Sequence, residues 1–388
     1  MLAALVLAQA QFDRPVVLSP LSLPKRSKSI IKKPVVVPRP SGSGLKLPRG
    51  FSAAVFAKGL ASPRWLLSLP NGDVLCAECY QGRITLLRDA DRNGVAETKS
   101  VFASGLNLPF GLALHEGFLY VANTNSIVRF GYQVGQLKAV GKPETVVANI
   151  PSLGYNMHWT RNIVFSPDGK TLYATVGSET NRDVEKNPRA TIQAYDSNGK
   201  NARPYATGLR NPVGLAFRPG TSELWATCVE RDYMGEDLVP DFVTRVSQGD
   251  FFGWPWFYIG KNRDTRVKNP PTKPVRVPDV LVTAHSVPLG LMFYTGSMFP
   301  EEYRGDLFVA MRGSTNRVQM AGYQVVRIVF KNGVRSSGYR SFAEGFIPDR
   351  SKPQVYGRPV GLTQLPDGSM LVADESAHLI WRITYSAP

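Results

Sequence analysis

Cysteine is scarce in this chain: three among 388 residues, Cys76, Cys79 and Cys228. That excludes a disulfide-stapled scaffold. Cys76 and Cys79 form a C-A-E-C stretch inside a predicted strand, where residues three apart lie about 10 Å apart and face opposite sides. A disulfide needs Cα atoms within about 7 Å. A structural zinc site needs four ligands, and the sequence has no second cysteine pair. All three are therefore read as buried free thiols. Histidine is nearly as rare, at four residues. Long apolar runs are missing too. Once Met1 to Ala10 is set aside, none is long enough to cross a bilayer, so the chain is not read as transmembrane. Acidic residues are outnumbered, giving a formal net charge of +16. No RRM, zinc-finger or helix-turn-helix pattern accompanies that charge, so nucleic acid is not the expected partner.

The excess charge is unevenly placed. Residues 11 to 50 carry nine Lys or Arg, one Asp and seven prolines, so +8 of the charge lies there. Positions 11–48 read as an extended, flexible linker or tail. Contact with an anionic envelope surface is its expected use. Ahead of it, positions 1–10 are apolar and end in Ala8-Gln9-Ala10, an A-x-A cleavage pattern. This reads as the remnant of a signal peptide and predicts a periplasmic or secreted protein.

Positions 49–388 repeat one pattern. A proline or arginine precedes a short apolar strand, a turn with Gly follows, and then a second strand. The repeats start near Pro63, Pro109, Arg161, Pro212, Pro288 and Pro359. Spacings of roughly 45 to 75 residues suit four-stranded propeller blades. The expected fold is all-β, a six-bladed β-propeller of four-stranded blades. Phe51 to Ala57 is a lone strand before the first repeat, and Leu379 to Tyr385 ends the last one. Pairing these two in one blade would close the ring.

The third repeat, HWTRNIVFSPDGKTLYATVGS, places His158 and Arg161 at the mouth of a strand. Arg210 and Asn211 begin the fourth repeat and Arg358 the sixth, while Arg312 and Asn316 follow a strand of the fifth. Equivalent positions in a propeller converge at one end of the channel. Arginines there make a cationic pocket suited to a ligand with several carboxylates. His285 is a weaker candidate, whereas His115 and His378 read as solvated turn residues. The acidic stretch Glu230 to Asp241 suits a hard cation, or is an acidic surface loop. FFGWPWFY at 251 to 258 is either a ligand wall or a blade core. Asp89 to Glu97 opens like a calcium loop, but its twelfth position is Ser100. An Asx-rich surface turn is the favoured reading, with a second calcium as the alternative.

In order, HWTRNIVFSPDGKTLYATVGS, GLRNPVGLAF, ERDYMGEDLVPD with GDFFGWP, YRGDLFVAMRGSTNR and GRPVGL resemble the sorbosone dehydrogenase and soluble aldose dehydrogenase family. Its members are six-bladed propellers that use pyrroloquinoline quinone (PQQ) and calcium. The resemblance spans roughly residues 48 to 386. It implies His158 as general base, and Arg161, Arg210, Asn211, Arg312 and Arg358 at PQQ. The loop at Arg231, Asp232 and Tyr233 would hold calcium through its backbone carbonyls. It further implies an aldose or related aldehyde as substrate and an external quinone or cytochrome as electron acceptor. Three positions depart from the family pattern. Thr315 stands where many relatives have Trp, Met157 where some sugar-oxidising relatives have an acid, and the C-A-E-C strand is unusual. A calcium-dependent lactonase and a non-catalytic propeller binding envelope glycans or proteins are the alternatives.

Overall fold

The computed structural model describes residues 11–152 and 158–387. The segment expected to be a signal-peptide remnant, residues 1–10, and Met157 therefore lie outside the described residues. Among those described, six four-stranded antiparallel sheets succeed one another along the chain. Blade 1 comprises Trp65–Ser68, Val74–Glu78, Arg83–Arg88 and Thr98–Ala103. Blades 2 to 5 follow, with innermost strands Leu112–His115, Ile163–Phe165, Asn211–Phe217 and Pro288–Phe293. Blade 6 has Pro359–Gln364 innermost, then Met370–Asp374 and Leu379–Tyr385. Its outermost strand is Phe51–Lys58, which pairs with Leu379–Tyr385 from Phe51↔Tyr385 to Lys58↔Leu379. The two ends of the propeller thus close it within one blade, as the sequence led us to expect, and no open sheet edge is left at the seam.

Each blade is buried on both faces, so the core lies between blades. Between blades 5 and 6, Tyr294, Phe299, Phe308 and Phe342 pack with Phe51 from the closing strand. Between blades 2 and 3, His115 stacks on Phe165 at 3.9 Å, so this histidine is a packing residue and not a solvated one. His378 is exposed and accepts a bond from the Ser62 amide.

Around the axis the innermost strands touch through their backbones. A Cβ on Gly214 would lie 2.3 Å from the Leu289 carbonyl oxygen, one on Gly290 2.3 Å from that of Val360, and one on Gly361 2.3 Å from that of Arg64. The recurrent Pro-x-Gly-Leu of the repeats is therefore a packing requirement, since only Gly permits such an approach. The pairing register breaks at the same places, between Pro212/Leu215, Pro288/Leu291 and Pro359/Leu362. These bulges turn the strand starts toward the channel.

Residues 11–48 are extended but do not hang free. Val16 bridges to Tyr339, Val35–Val36 pair in parallel with Gln354–Val355, and Lys46 bridges to Glu344. A proline-rich segment has few internal partners, so its amides and carbonyls bond to the propeller instead. Cys76 lies in a strand, but Cys79 begins a short 3-10 turn, and both thiols are buried and free, as is Cys228. Burial pushes the Cys79 thiol up to about 12, so it is inert at neutral pH.

Gly361→Ala is expected to destabilise the protein by about 3 kcal/mol, because the added methyl meets backbone and not a flexible side chain. Gly131→Ala, where nothing lies within 4 Å of the new carbon, is the matched control. Urea unfolding of both variants checks this; equal midpoints would remove the inter-blade contact as a constraint.

Candidate active site

In every blade the start of the innermost strand and the end of the second strand share one face of the ring, while the turn joining them points the other way. Clefts at Ser166 to Asp168 and at Asn71 to Gly72 belong to that opposite face. On the first face lies a cavity of about 160 Å³ lined by Arg64, Tyr80, His158, Asn211 and Arg312, among others. It gathers side chains from blades 1, 3, 4 and 5. Trp159, Val287 and Leu289 give it apolar walls.

His158 is 6% exposed. Its Nδ1 lies 2.8 Å from the Ser178 carbonyl oxygen. A carbonyl only accepts, so Nδ1 carries the proton and Nε2 keeps its lone pair. Burial and the Arg210 charge hold the imidazole well below the ordinary histidine range. It is therefore neutral and able to accept a proton. Close approach is needed here: a Cβ on Gly177 would lie 2.7 Å from His158 Cβ and 2.5 Å from Asn211 Oδ1.

Opposite His158, Glu375 at the end of a blade 6 strand binds two cavity arginines. Arg64 donates to its Oε1 at 2.6 Å and Arg312 to its Oε2 at 2.5 Å. Burial alone would raise its pKa, but the two guanidinium charges hold the carboxyl well below the usual range. Arg64 also lies over the rings of Trp159 and Phe110, at 5.2 and 5.6 Å. Arg358 stands one layer back. Its guanidinium donates to the carbonyls of Arg312 and Gly313, and burial and the Arg312 charge push it down to about 10.

A second hub lies beside the cavity. Asp232 accepts from Arg210 at 2.9 Å and Asn316 at 2.8 Å, and its Oδ1 lies 3.5 Å from His285 Nδ1. Burial opposes ionisation, but the His285 bond and the Arg210 charge hold Asp232 down to about 2. Arg210 also donates to the Glu230 carbonyl and to Asn181 Oδ1. His285 is buried, which disfavours its charge, but the Asp232 bond, Asp241 and the Gly235 carbonyl outweigh this and raise its pKa.

Of the residues expected at the cofactor, His158, Asn211 and Arg312 line the cavity directly, and Arg210 and Arg358 support its wall. Arg161 does not reach it. Its guanidinium turns back to the carbonyls of Pro151, His158 and Thr160 and so fixes the loop that carries His158. In the expected metal loop, the Arg231 side chain is locked in the core by Glu230, Asp264 and the Pro255 carbonyl. Only its backbone is left for a ligand. Tyr233 is 56% exposed with φ +66. Phe251, Phe252 and Trp254 are buried, so FFGWPWFY is mainly blade core. The acids of the 230 to 241 stretch are used internally, Asp237 by Arg317 and Glu236 by the Val318 amide. Asp89, Asp91 and Glu97 converge on a turn whose amides they cap, at Gly94, Asn93 and Ala90.

Sequence reading passed over Arg64, Tyr80 and Glu375. Arg64 had a usable signal, since it follows Pro63 at a repeat start. Glu375 had a weaker one, two strands' worth of pattern after Arg358.

Two buried polar atoms at the cavity, Arg64 Nε and Asn211 Oδ1, have no protein hydrogen-bond partner. Arg64 Nε and the other arginine groups are donors that fit the carboxylates of a planar polycarboxylate quinone such as PQQ, while Asn211 Oδ1 can accept from an N–H or O–H of the same ligand. Asp232 and the loop carbonyls beside it are hard oxygen donors of the kind calcium takes.

Glu375→Gln is expected to cost about 3–5 kcal/mol at neutral pH, because it leaves two buried guanidiniums without their counter-charge. The folded pKa is depressed, so Glu375's contribution is present above about pH 4.3 and fades as pH falls below it. Wild type and variant should converge toward acid pH in urea unfolding. A gap that stays constant with pH would show that the carboxylate charge is not what holds the arginines.

An uncharacterized protein of Borreliella burgdorferi is 27% identical over 357 residues, 88% of this chain and 91% of that one. The pyrroloquinoline quinone-dependent pyranose dehydrogenase of Coprinopsis cinerea is 25% identical over 399 residues, covering 84% of this chain but 52% of the enzyme. The calcium structure of the Trichoderma reesei family AA12 protein superposes with a TM-score of 0.75 at 19% identity, over 94% of this chain and 100% of that one. That likeness shows the shared fold. The family model described as TrAA12-like matches residues 45–239 and 236–386, and the chain belongs to that family.

Proposed function

We propose that this protein is a PQQ-dependent oxidoreductase that oxidises aldose sugars or related aldehydes. The observation that carries this reading is a neutral His158 with its lone pair on Nε2, in a cavity that it shares with Arg64, Arg312, Asn211, Tyr80 and Thr160. A relative's PQQ-dependent activity on pyranose supports it. A lactonase would want several carboxylates converging on the channel, and here the carboxylates Glu375 and Asp232 are spent on arginines.

PQQ, when bound, supplies the acceptor for a hydride from the sugar carbon. Arg64, Arg312 and Asn211 would hold it, with Arg358 and Arg210 keeping those groups in place. His158 takes the hydroxyl proton at Nε2, and the Ser178 carbonyl steadies the imidazolium through Nδ1–H. Trp159, Val287 and Leu289 exclude water from the reacting atoms. Calcium at the backbone carbonyls of Arg231, Asp232 and Tyr233 would add Lewis-acid polarisation. An external quinone or cytochrome would serve as the electron acceptor.

Titration of the purified protein with PQQ in calcium, followed by quinone absorbance and then by dye reduction with a panel of aldoses, tests the reading. Saturable binding and sugar-dependent reduction are expected, and absence of PQQ binding would remove it. His158→Ala should lower turnover by about 10²–10⁴-fold while PQQ still binds. Because burial and Arg210 depress the His158 pKa, the acid limb of wild-type turnover should lie below about pH 6.5. A limb at or above that value would assign the base elsewhere. Chelation should reduce turnover, with recovery on adding calcium; turnover indifferent to chelator and calcium would remove the metal.

A further inference from the structure

The family match begins at residue 45, and the basic segment before it lies outside that match. That segment crosses blades 4, 5 and 6 on the cavity face. Ser27 donates its amide to the Met234 carbonyl at 3.1 Å, and Gly235 donates to Ser29 Oγ at 3.1 Å. The packing there is tight, since a Cβ on Gly235 would fall 2.8 Å from the Ser27 nitrogen. Lys32 then crosses to blade 5. Its amide donates to the Thr315 carbonyl at 2.8 Å, and its ammonium to the carbonyls of Val318 and Ser351. The strap is thus fastened on both sides of a gap, and its residues Ile31, Lys33 and Pro34 form one wall of it.

The other walls are Tyr233 and Asp232 from blade 4 and Thr315 with Asn316 from blade 5. The groove is about 460 Å³, a size typical of small-molecule sites. Its walls are tied to those of the cavity: Asp232 binds Arg210, which precedes cavity-lining Asn211, and Thr315 lies three residues after cavity-lining Arg312. Its composition is that of a carbohydrate subsite. Tyr233 offers an exposed aromatic face held out by a left-handed backbone, and Ile31 and Pro34 offer apolar contact. Asn316 and Thr315 offer an amide and a hydroxyl. Lys33 adds charge; among the described residues it has no carboxylate partner, and five cations without one acid lie between positions 25 and 33.

We propose that the strap completes a second sugar subsite, which takes the non-reducing unit of an oligosaccharide and favours a carboxylate on it through Lys33. This deepens the dehydrogenase reading and rests on it for the reducing-end unit.

The test is calorimetric binding of α-1,4-digalacturonate and of neutral lactose to the full-length protein, wild type, Lys33→Glu and Thr315→Trp. Digalacturonate should bind wild type about tenfold more tightly than lactose. Lys33→Glu should erase that preference, and Thr315→Trp, which fills the groove, should weaken both disaccharides. Circular dichroism confirms that each variant is folded. Equal affinities in wild type, or a preference that survives Lys33→Glu, would overturn the proposal. Dye reduction on monosaccharides by the PQQ-loaded protein is read separately. Turnover without a digalacturonate preference removes the subsite and keeps the dehydrogenase. A Lys33-dependent preference without turnover on any aldose keeps the anionic-sugar site and removes the dehydrogenase.

Discussion

The innermost strands meet around the axis by backbone contact, and most of the molecule's arrangement depends on that. Where Gly214, Gly290 and Gly361 face the carbonyls of Leu289, Val360 and Arg64, no side chain fits. The channel is therefore filled by main chain along much of its length. Side chains collect only where the strands begin, on one face. The bulges at those glycines interrupt regular pairing just after the first residues of those strands. Arg64, Asn211 and Arg358 stand at strand starts that are themselves rigid. The cavity is small because the ring is tight, and it is polar because strand starts carry polar residues.

Crowding arginines in a buried cavity has an electrostatic cost, which two carboxylates offset. Glu375 holds Arg64 and Arg312, and Asp232 holds Arg210. Against burial, Glu375 stays ionised because of its two guanidiniums, and Asp232 because of the His285 bond and the Arg210 charge. The outcome for His158 is indirect. With Arg210 nearby and no acid bonded to its ring, it stays neutral, which is the state a proton acceptor needs. His285, the other buried histidine on this face, shows the contrast: its Asp232 contact favours the charged form.

The repeats, their number and the pairing of the first and last strands were legible in the sequence. Each depends on local signals: alternating apolar residues, a Gly turn and a Pro or Arg at the strand start. His158, Asn211 and Arg312 were legible for the same reason, since matched positions in a repeat must converge. Arg161 occupies such a position and still fails to reach the cavity. Its chain folds back because three carbonyls of its own loop lie within reach. His115 was taken for a turn residue because its stacking partner, Phe165, belongs to the next blade.

The sequence by itself determined the blade grammar, the closure and the strand starts around His158, because periodicity and turn chemistry act over a few residues. Only the tertiary structure decided which arginines share a carboxylate and which ring nitrogen of His158 is free. It also decided that the basic segment before residue 45 lies across the cavity face. These are contacts between residues as far apart as Arg64 and Glu375, or Lys32 and Thr315, and no local pattern encodes them. They exist because closing the ring brings distant strand ends onto one rim, where charge, space and hydrogen bonding are settled together.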